Sequence, residues 1–455
     1  MMGRILVGAL IVCLSGCGDL FNRNVVARAG ADELTVEWLA QTLAESNVPP
    51  QPTVVERWSW LWIQYALYLQ RLAAGDSLID TTTVLEAMWP EVLIGTVENY
   101  YDRLVAERVT VGERQVDSAY AAGNHILIDH ILVAADAQLT PEENQRRRRL
   151  AEAIHARLAA GGDWDREAQN SDDPATRHLN GRLGLVTPGE MAPQFEQAAY
   201  ELDPGEISGV VDTRFGYHIL RRPALEDVRE EFAGRIAEVL VERWKTEYVE
   251  ELSIQRALHV LDEGPEIIRE AAERPIRVLA LEPRRVIGTY DGGVLTDVTF
   301  VGWLQAWPAW EHMGIEGAGD EELKEQARMA MQNEILFLEA KSVGTRLRAE
   351  QFSRIKGQLS RRLSLLRRAM RVDTVMARAA PEDRNKVARQ VLDEYVSRII
   401  TGGGTMQTVP PFLARKLRAE SDWRFSYAGV NRAIRLAVEL QTRAEQRIGA
   451  TGTRP

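Results

Sequence analysis

Cysteine is nearly missing from this chain: two in 455 residues, Cys13 and Cys17. A disulfide framework is excluded by that scarcity, and so is a zinc site built on cysteine pairs. No run of about 18 apolar residues occurs, so no stretch reads as a membrane-spanning helix. Positive charge is not in excess either. A formal net charge of −11 removes the electrostatic basis for wrapping nucleic acid. Only 7 histidines are present, with no His-Glu-x-x-His spacing, and neither a glycine-rich phosphate loop nor a Gly-x-Ser-x-Gly elbow appears. No cofactor and no metal is expected.

What remains is an ordinary folded composition, 45% hydrophobic and 27% charged, in a chain too long for one core. Two to four domains are expected, by the usual size of about 100 to 200 residues each. The N-terminus carries Arg4, an apolar stretch from Ile5 to Leu14, and then Leu14-Ser15-Gly16-Cys17. That order resembles a lipoprotein signal peptide, with an ordinary secretory signal as the alternative. The resemblance implies removal of residues 1–16 and lipidation of Cys17, which would be the sole thiol of the mature chain. Export follows, with the lipid holding the protein to a membrane. In a Gram-negative cell this is the periplasmic side, the outer membrane preferred; otherwise it is the outer face of the cell membrane.

The chain also repeats itself loosely. Val25 to Gly30, Leu34-Thr35 and Trp38-Leu39 have counterparts in Val286 to Gly292, Leu295-Thr296 and Trp303-Leu304. Each set reads as a short strand, a glycine turn and a threonine N-cap opening a helix. A longer helix follows each, over Val54 to Ala74 and Leu323 to Val343, with glycine stops at Gly75 and Gly344.

Between the copies the texture changes to α+β. From His125 to Arg222, short apolar runs alternate with helical stretches (Glu142 to Ala160, Met191 to Glu201), punctuated by Gly161-Gly162, Asn180-Gly181, Pro188-Gly189 and Pro204-Gly205. After Pro223 the pattern is almost wholly helical. The expected organisation is a signal segment, an N-terminal helical module at 17–122, a central domain at 123–223 and a C-terminal helical module at 224–455 holding the second copy at 286–345.

The central stretch opens Asp129-His130-Ile131-Leu132-Val133. It continues through Gly181-Arg182-Leu183-Gly184, Pro188-Gly189-Glu190-Met191, Phe195-Glu196 and Pro204-Gly205-Glu206-Ile207-Ser208-Gly209, and closes Thr213-Arg214-Phe215-Gly216-Tyr217-His218-Ile219-Leu220. That series resembles the parvulin, or PpiC-type, peptidyl-prolyl isomerases across essentially the whole domain. The resemblance implies a four-stranded antiparallel sheet surrounded by helices. It implies a proline pocket from Leu183, Met191 and Phe195, with Phe215 as a further substrate-binding candidate. Met191 and Phe195 are expected four apart on one helix face. It also implies His130 and His218 on adjacent central strands, with Asp173 and Thr213 completing a hydrogen-bonded catalytic network. Neighbouring Asp172 is the alternative inward carboxylate. The segment Ala134 to Gln138 lacks the basic residues that phosphate-demanding parvulins carry there.

Helical modules flanking one such domain in an exported chain resemble the SurA-like and PrsA-like foldases. The implied partners are unfolded exported polypeptides with X–Pro bonds. The implied alternatives are a holdase whose isomerase domain is vestigial and a membrane-anchored assembly scaffold. Trp58, Trp60, Trp62, Trp89, Trp303, Trp307 and Trp310 are candidates either for core or for a client-facing surface.

Overall fold

The computed structural model describes residues 24–46, 49–136, 138–280, 284–306, 315 and 317–451. The signal segment, Cys17, Trp307 and Trp310 lie outside the described residues. In chain order the strands are β1 (Val25–Ala29), β2 (Asp32–Thr35), β3 (Ile126–Ala134), β4 (Arg182–Val186), β5 (Val211–Thr213), β6 (Gly216–Arg221), β7 (His259–Val260), β8 (Val286–Tyr290), β9 (Gly293–Thr296) and β10 (Trp423–Phe425). The chain divides into two compact units, residues 101–251 and residues 1–100 with 252–455. The first runs wider than the 123–223 stretch that carries the motifs.

In the larger unit, Thr35 ends β2 and starts the helix Val36–Ala44 in one step. Its backbone is extended, and its side chain accepts from the Trp38 N–H at 3.2 Å, taking up a helix donor that would otherwise lack a partner. The helix Pro52–Ala73 follows, apolar on nearly every side because it is buried on nearly every side: Trp62, Tyr65 and Tyr68 are almost wholly inaccessible. Tyr65 meets Tyr395 of the helix Arg384–Ile400 edge-on, 5.2 Å between ring centres. One buried cluster runs from Val26 to Val92 and from Ile355 to Ala437, so residues from both ends of the sequence build a single core.

The two similar segments form the same series of elements. β1 pairs antiparallel with β2, and β8 with β9, each pairing shifting register near its start, between Val25 and Ala27 and between Val286 and Gly288. Longer helices follow, Pro52–Ala73 and Asp320–Ser342. Each pair gains a third strand from elsewhere in the chain, giving the orders β10-β1-β2 and β7-β8-β9. Of the tryptophans, Trp60, Trp62 and Trp303 are buried, while Trp58 and Trp89 are partly exposed.

The smaller unit is α+β and holds a four-stranded antiparallel sheet in the order β4-β3-β6-β5. Alternation along β3 separates its faces. Ile131 and Val133 pack with Ile154 and Leu158 of the helix Pro141–Ala159, which opens on a reciprocal Thr140–Glu143 capping box. Ile126 and Ile128 join Phe195, Ala199 and Leu220 on the other face. The helix Pro193–Tyr200 starts later than the sequence pattern indicates, because Pro193 occupies the first turn and Ala192 is the N-cap. Met191 therefore precedes the helix, and the expectation of Met191 and Phe195 on one helix face is corrected. The two side chains still belong to the same apolar cluster.

Candidate active site

Register brings the two central histidines together. β3 and β6 pair so that His130 lies opposite Leu220 and His218 opposite Leu132, a diagonal arrangement that puts both imidazoles on the Phe195 face. Their Nδ1 atoms are 3.4 Å apart and both residues are 5% exposed. Phe195 stands edge-on to both, 5.3 Å from His218 and 6.0 Å from His130 between ring centres.

The far nitrogen of each histidine has its own partner. His130 Nε2 lies 2.8 Å from Asp173 Oδ2, and His218 Nε2 lies 2.9 Å from Thr213 Oγ1. Asp173 is positioned by a loop that runs along β3: the Asp172 N–H donates to the Leu132 carbonyl at 2.8 Å, and the Leu132 N–H donates to Ser171 Oγ at 3.0 Å. Asp172 turns the other way. Its carboxylate accepts from Arg147 at 3.1 Å and from the Ala134 N–H at 2.9 Å, and the residue is exposed.

The pattern missed one residue of this cluster. Thr176, 6% exposed, donates its hydroxyl to Asp173 Oδ2 at 2.6 Å and lies 2.9 Å from His130 Nε2. The signal was present as an Asp followed three residues later by a threonine, a spacing at which short side chains meet around a turn.

Close backbone approach on the other side of His130 requires glycine. Gly181, at φ +82°, accepts from the His130 N–H at 2.8 Å, and a Cβ there would fall 2.5 Å from the His130 carbonyl oxygen. Next to it, Asp129 is buried beneath Arg182 and Arg221, both ion-paired to its carboxylate, with Arg221 Nη2 at 2.6 Å. Arg221 also lies over the Trp164 ring at 4.6 Å.

Electrostatics follow from this packing. Burial, reinforced by the positive charge His130 would carry, pushes the His218 pKa down to about 4 despite the opposing pull of Asp173. Burial raises the Asp173 pKa, but the Thr176 hydroxyl, the Ala175 N–H and His130 outweigh it, and the net shift is downward. Asp173 is thus held as a carboxylate.

The apolar candidates sort by exposure. Leu183 and Met191 are half-buried and pack with the cluster that contains buried Phe195. Phe215 is 53% exposed with the Arg214 guanidinium over its ring at 4.7 Å. Its backbone N–H donates to Thr213 Oγ1 at 3.2 Å.

Residues 130–224 match the family model described as Rotamase: PPIC-type PPIASE domain. With the sheet order and the paired imidazoles, this makes the central region a parvulin-type peptidyl-prolyl isomerase domain. The chain carrying it is similar to known foldases. Chaperone SurA of Alcanivorax borkumensis is 39% identical over 105 residues, 23% of this chain and 23% of that protein. Chaperone SurA of Thiobacillus denitrificans is 26% identical over 292 residues, 60% of this chain and 59% of that one. Foldase protein PrsA of Halalkalibacterium halodurans is 30% identical over 178 residues, 38% of this chain and 51% of that protein. The matched stretches thus span less than two thirds of these relatives. Among solved structures, PrsA from Bacillus subtilis matches at 22% identity over 31% of this chain and 53% of that chain, with a TM-score of 0.21.

Proposed function

We propose that the protein is an exported foldase whose central domain accelerates rotation about X–Pro bonds in unfolded polypeptides. The barrier to that rotation is about 18 to 20 kcal/mol, because resonance gives the amide C–N bond partial double-bond character. No bond to the protein need form. A site lowers the barrier by gripping the prolyl ring and favouring the twisted, less conjugated amide over either planar form.

The observation that carries this reading is the convergence of Phe195, His130, His218, Asp173 and Thr213 on one face of the sheet. Met191, Leu183 and Phe195 supply the apolar grip. The polar chain beneath them has one consistent direction of donation when Asp173 is anionic. The Thr213 O–H donates to His218 Nε2, His218 Nδ1–H to His130 Nδ1, and His130 Nε2–H to Asp173, with both imidazoles neutral. Proton positions so ordered hold a fixed dipole beside the apolar cluster, in a low-dielectric setting where it bears on the charge distribution of a bound amide. Phe215, exposed in the turn between β5 and β6, is the candidate contact for residues flanking the proline.

The same reading places lipid on Cys17, and it takes exported polypeptides as clients, the client class being in line with relatives named as a chaperone and a foldase. No helix among the described residues is long and apolar enough to cross a membrane. Turnover of an Ala–Pro peptide by the full chain, reduced on substitution of Met191, tests the catalytic assignment. Acylation of Cys17, read by mass spectrometry of the mature protein, tests the anchor.

A holdase role has one observation in its favour. In the larger unit a cavity of about 450 Å³ is walled by Leu85, Trp89, Val92, Phe337, Leu347 and Phe352, apolar surface of the kind that receives side chains of extended polypeptides. Suppression of client aggregation by a variant lacking residues 123–223 distinguishes that role from isomerisation.

A further inference from the structure

A second cavity in the larger unit, about 380 Å³, lies between the helices Pro52–Ala73 and Pro411–Ala419, and Ile276 also lines it. Arg418 lines it too, with its guanidinium 4.8 Å from the centre of the Trp60 ring and the residue only 8% exposed. Among the described residues Arg418 has no carboxylate partner, and no aspartate or glutamate lines the cavity. The charge that bears on it is Arg415, of the same sign. Burial and that repulsion hold the Arg418 pKa down to about 10. Arg57, exposed, adds a second guanidinium to the wall.

A buried guanidinium without a counter-ion is costly, since desolvation of the charge is offset only when an anion or several acceptors take up its five donors. Stacking on Trp60 supplies a fraction of that compensation. Leu61, Leu279, Val409 and Ala414 make much of the remaining wall apolar, with Gln64 and Thr408 as its neutral polar members. A planar fork of donors beside a small, largely apolar chamber fits a carboxylate paired to the guanidinium, with a hydrocarbon group in the chamber.

We propose that this cavity binds an apolar monocarboxylate, its carboxylate paired with Arg418 and its hydrocarbon packed against Trp60, Ile276 and Val409. Two sources present that group: the C-terminus of a polypeptide ending in an apolar residue, and a free fatty acid. The site lies outside the parvulin domain and does not depend on the isomerase reading.

The test uses the full chain, isothermal titration, and three probes: a pentapeptide ending in leucine with a free carboxylate, the same peptide amidated, and decanoate. The expected result is binding of the free-acid peptide, of decanoate or of both, with the amide at least about tenfold weaker than the acid wherever the peptide binds. Binding of the peptide alone identifies a chain terminus as the ligand, and binding of decanoate alone identifies a fatty acid. Arg418→Met, which removes an unpaired buried charge at similar volume, is expected to lower affinity at least about tenfold while holding or raising Tm. Val409→Trp fills the chamber without touching the charge and is expected to abolish binding, so the test survives if the arginine variant fails to fold. Turnover on a proline peptide stays unchanged in both variants, which separates this proposal from the isomerase reading. Equal binding of acid and amide, undiminished binding by both variants, displacement by equimolar inorganic phosphate, or no binding of any probe would overturn it.

Discussion

The rings of His130 and His218 lie 5.6 Å apart between centres and 18° from parallel, joined through their Nδ1 atoms rather than through either Nε2. The outer nitrogens are thereby left for Asp173 and Thr213. The pair is one segment of a longer line of donors and acceptors, and its protonation is tied to the fold.

That tie sets a pH dependence. The folded-state pKa of His218, about 4, lies below the 6.5 of an unhindered histidine, so as pH falls the unfolded chain takes up this proton first. Stability is therefore unaffected by this group above about pH 6.5 and declines from there toward pH 4, by at most about 1.4 kcal/mol per pH unit. Denaturant midpoints measured from pH 7 to 4.5 are expected to fall less steeply in His218→Asn than in the unsubstituted protein. Parallel curves would refute the assignment.

Thr176 lowers the Asp173 pKa by donating a hydrogen bond to its charged form. Thr176→Val removes that donor, so the Asp173 pKa rises and the acid limb of kcat/KM moves to higher pH. Asp173→Asn, unable to carry the charge at all, is expected to lower turnover at neutral pH by about tenfold or more. A pH–rate profile unmoved by the Thr176 substitution would separate Asp173 from the chemistry.

Met191 and His218 should fail differently. Met191 is half-buried ahead of its helix, so Met191→Ala is expected to reduce turnover, chiefly through KM, with little change in Tm. His218 is inside the sheet, and His218→Ala is expected to lower stability as well as activity. Phe195, buried against both histidines, resembles His218 in this respect: Phe195→Ala is expected to cost about 3 to 5 kcal/mol. Equal loss of fold in the Met191 and His218 variants would count against the pocket.

Asp129 is predicted to be structural. Its carboxylate is 1% exposed between two guanidinium groups, and Asp129→Ala takes the carboxylate from Arg221 while Arg182 keeps only its pair with Glu231. A loss of about 3 to 5 kcal/mol is expected in urea denaturation. A variant within about 1 kcal/mol of the parent would show that the ion pairs are dispensable.

Much of the central domain was legible from order along the chain. The glycines and prolines at its turns, the His-Ile-Leu-Val entry and the Phe-Gly-Tyr-His close carry local geometry, and local geometry is what a sequence states directly. The Gly181 requirement is an example: only a residue without Cβ fits at φ +82° against the His130 carbonyl. The start of the helix at Pro193 was misread because helical spacing extends through Met191, whereas proline in the first turn and the Ala192 cap decide the boundary. Nor did the pattern distinguish Asp172 from Asp173. Adjacent residues on an extended loop point to opposite sides, and which side faces His130 depends on how that loop hydrogen-bonds to β3.

By itself, then, the sequence determined the turns of the central domain, through backbone freedom at its glycines and prolines, while its sheet and the candidates His130, His218, Asp173 and Thr213 were legible only through the ordered resemblance to the parvulins. Only the tertiary structure decided which side chains share a core across hundreds of residues. Trp423 to Phe425 becomes the partner strand of β1, and Tyr395 comes to rest against Tyr65, because a strand edge and an apolar helix must each be covered and nothing local states by what. The same long-range closure placed Arg418 over Trp60, a contact between residues more than three hundred positions apart that no spacing rule could anticipate.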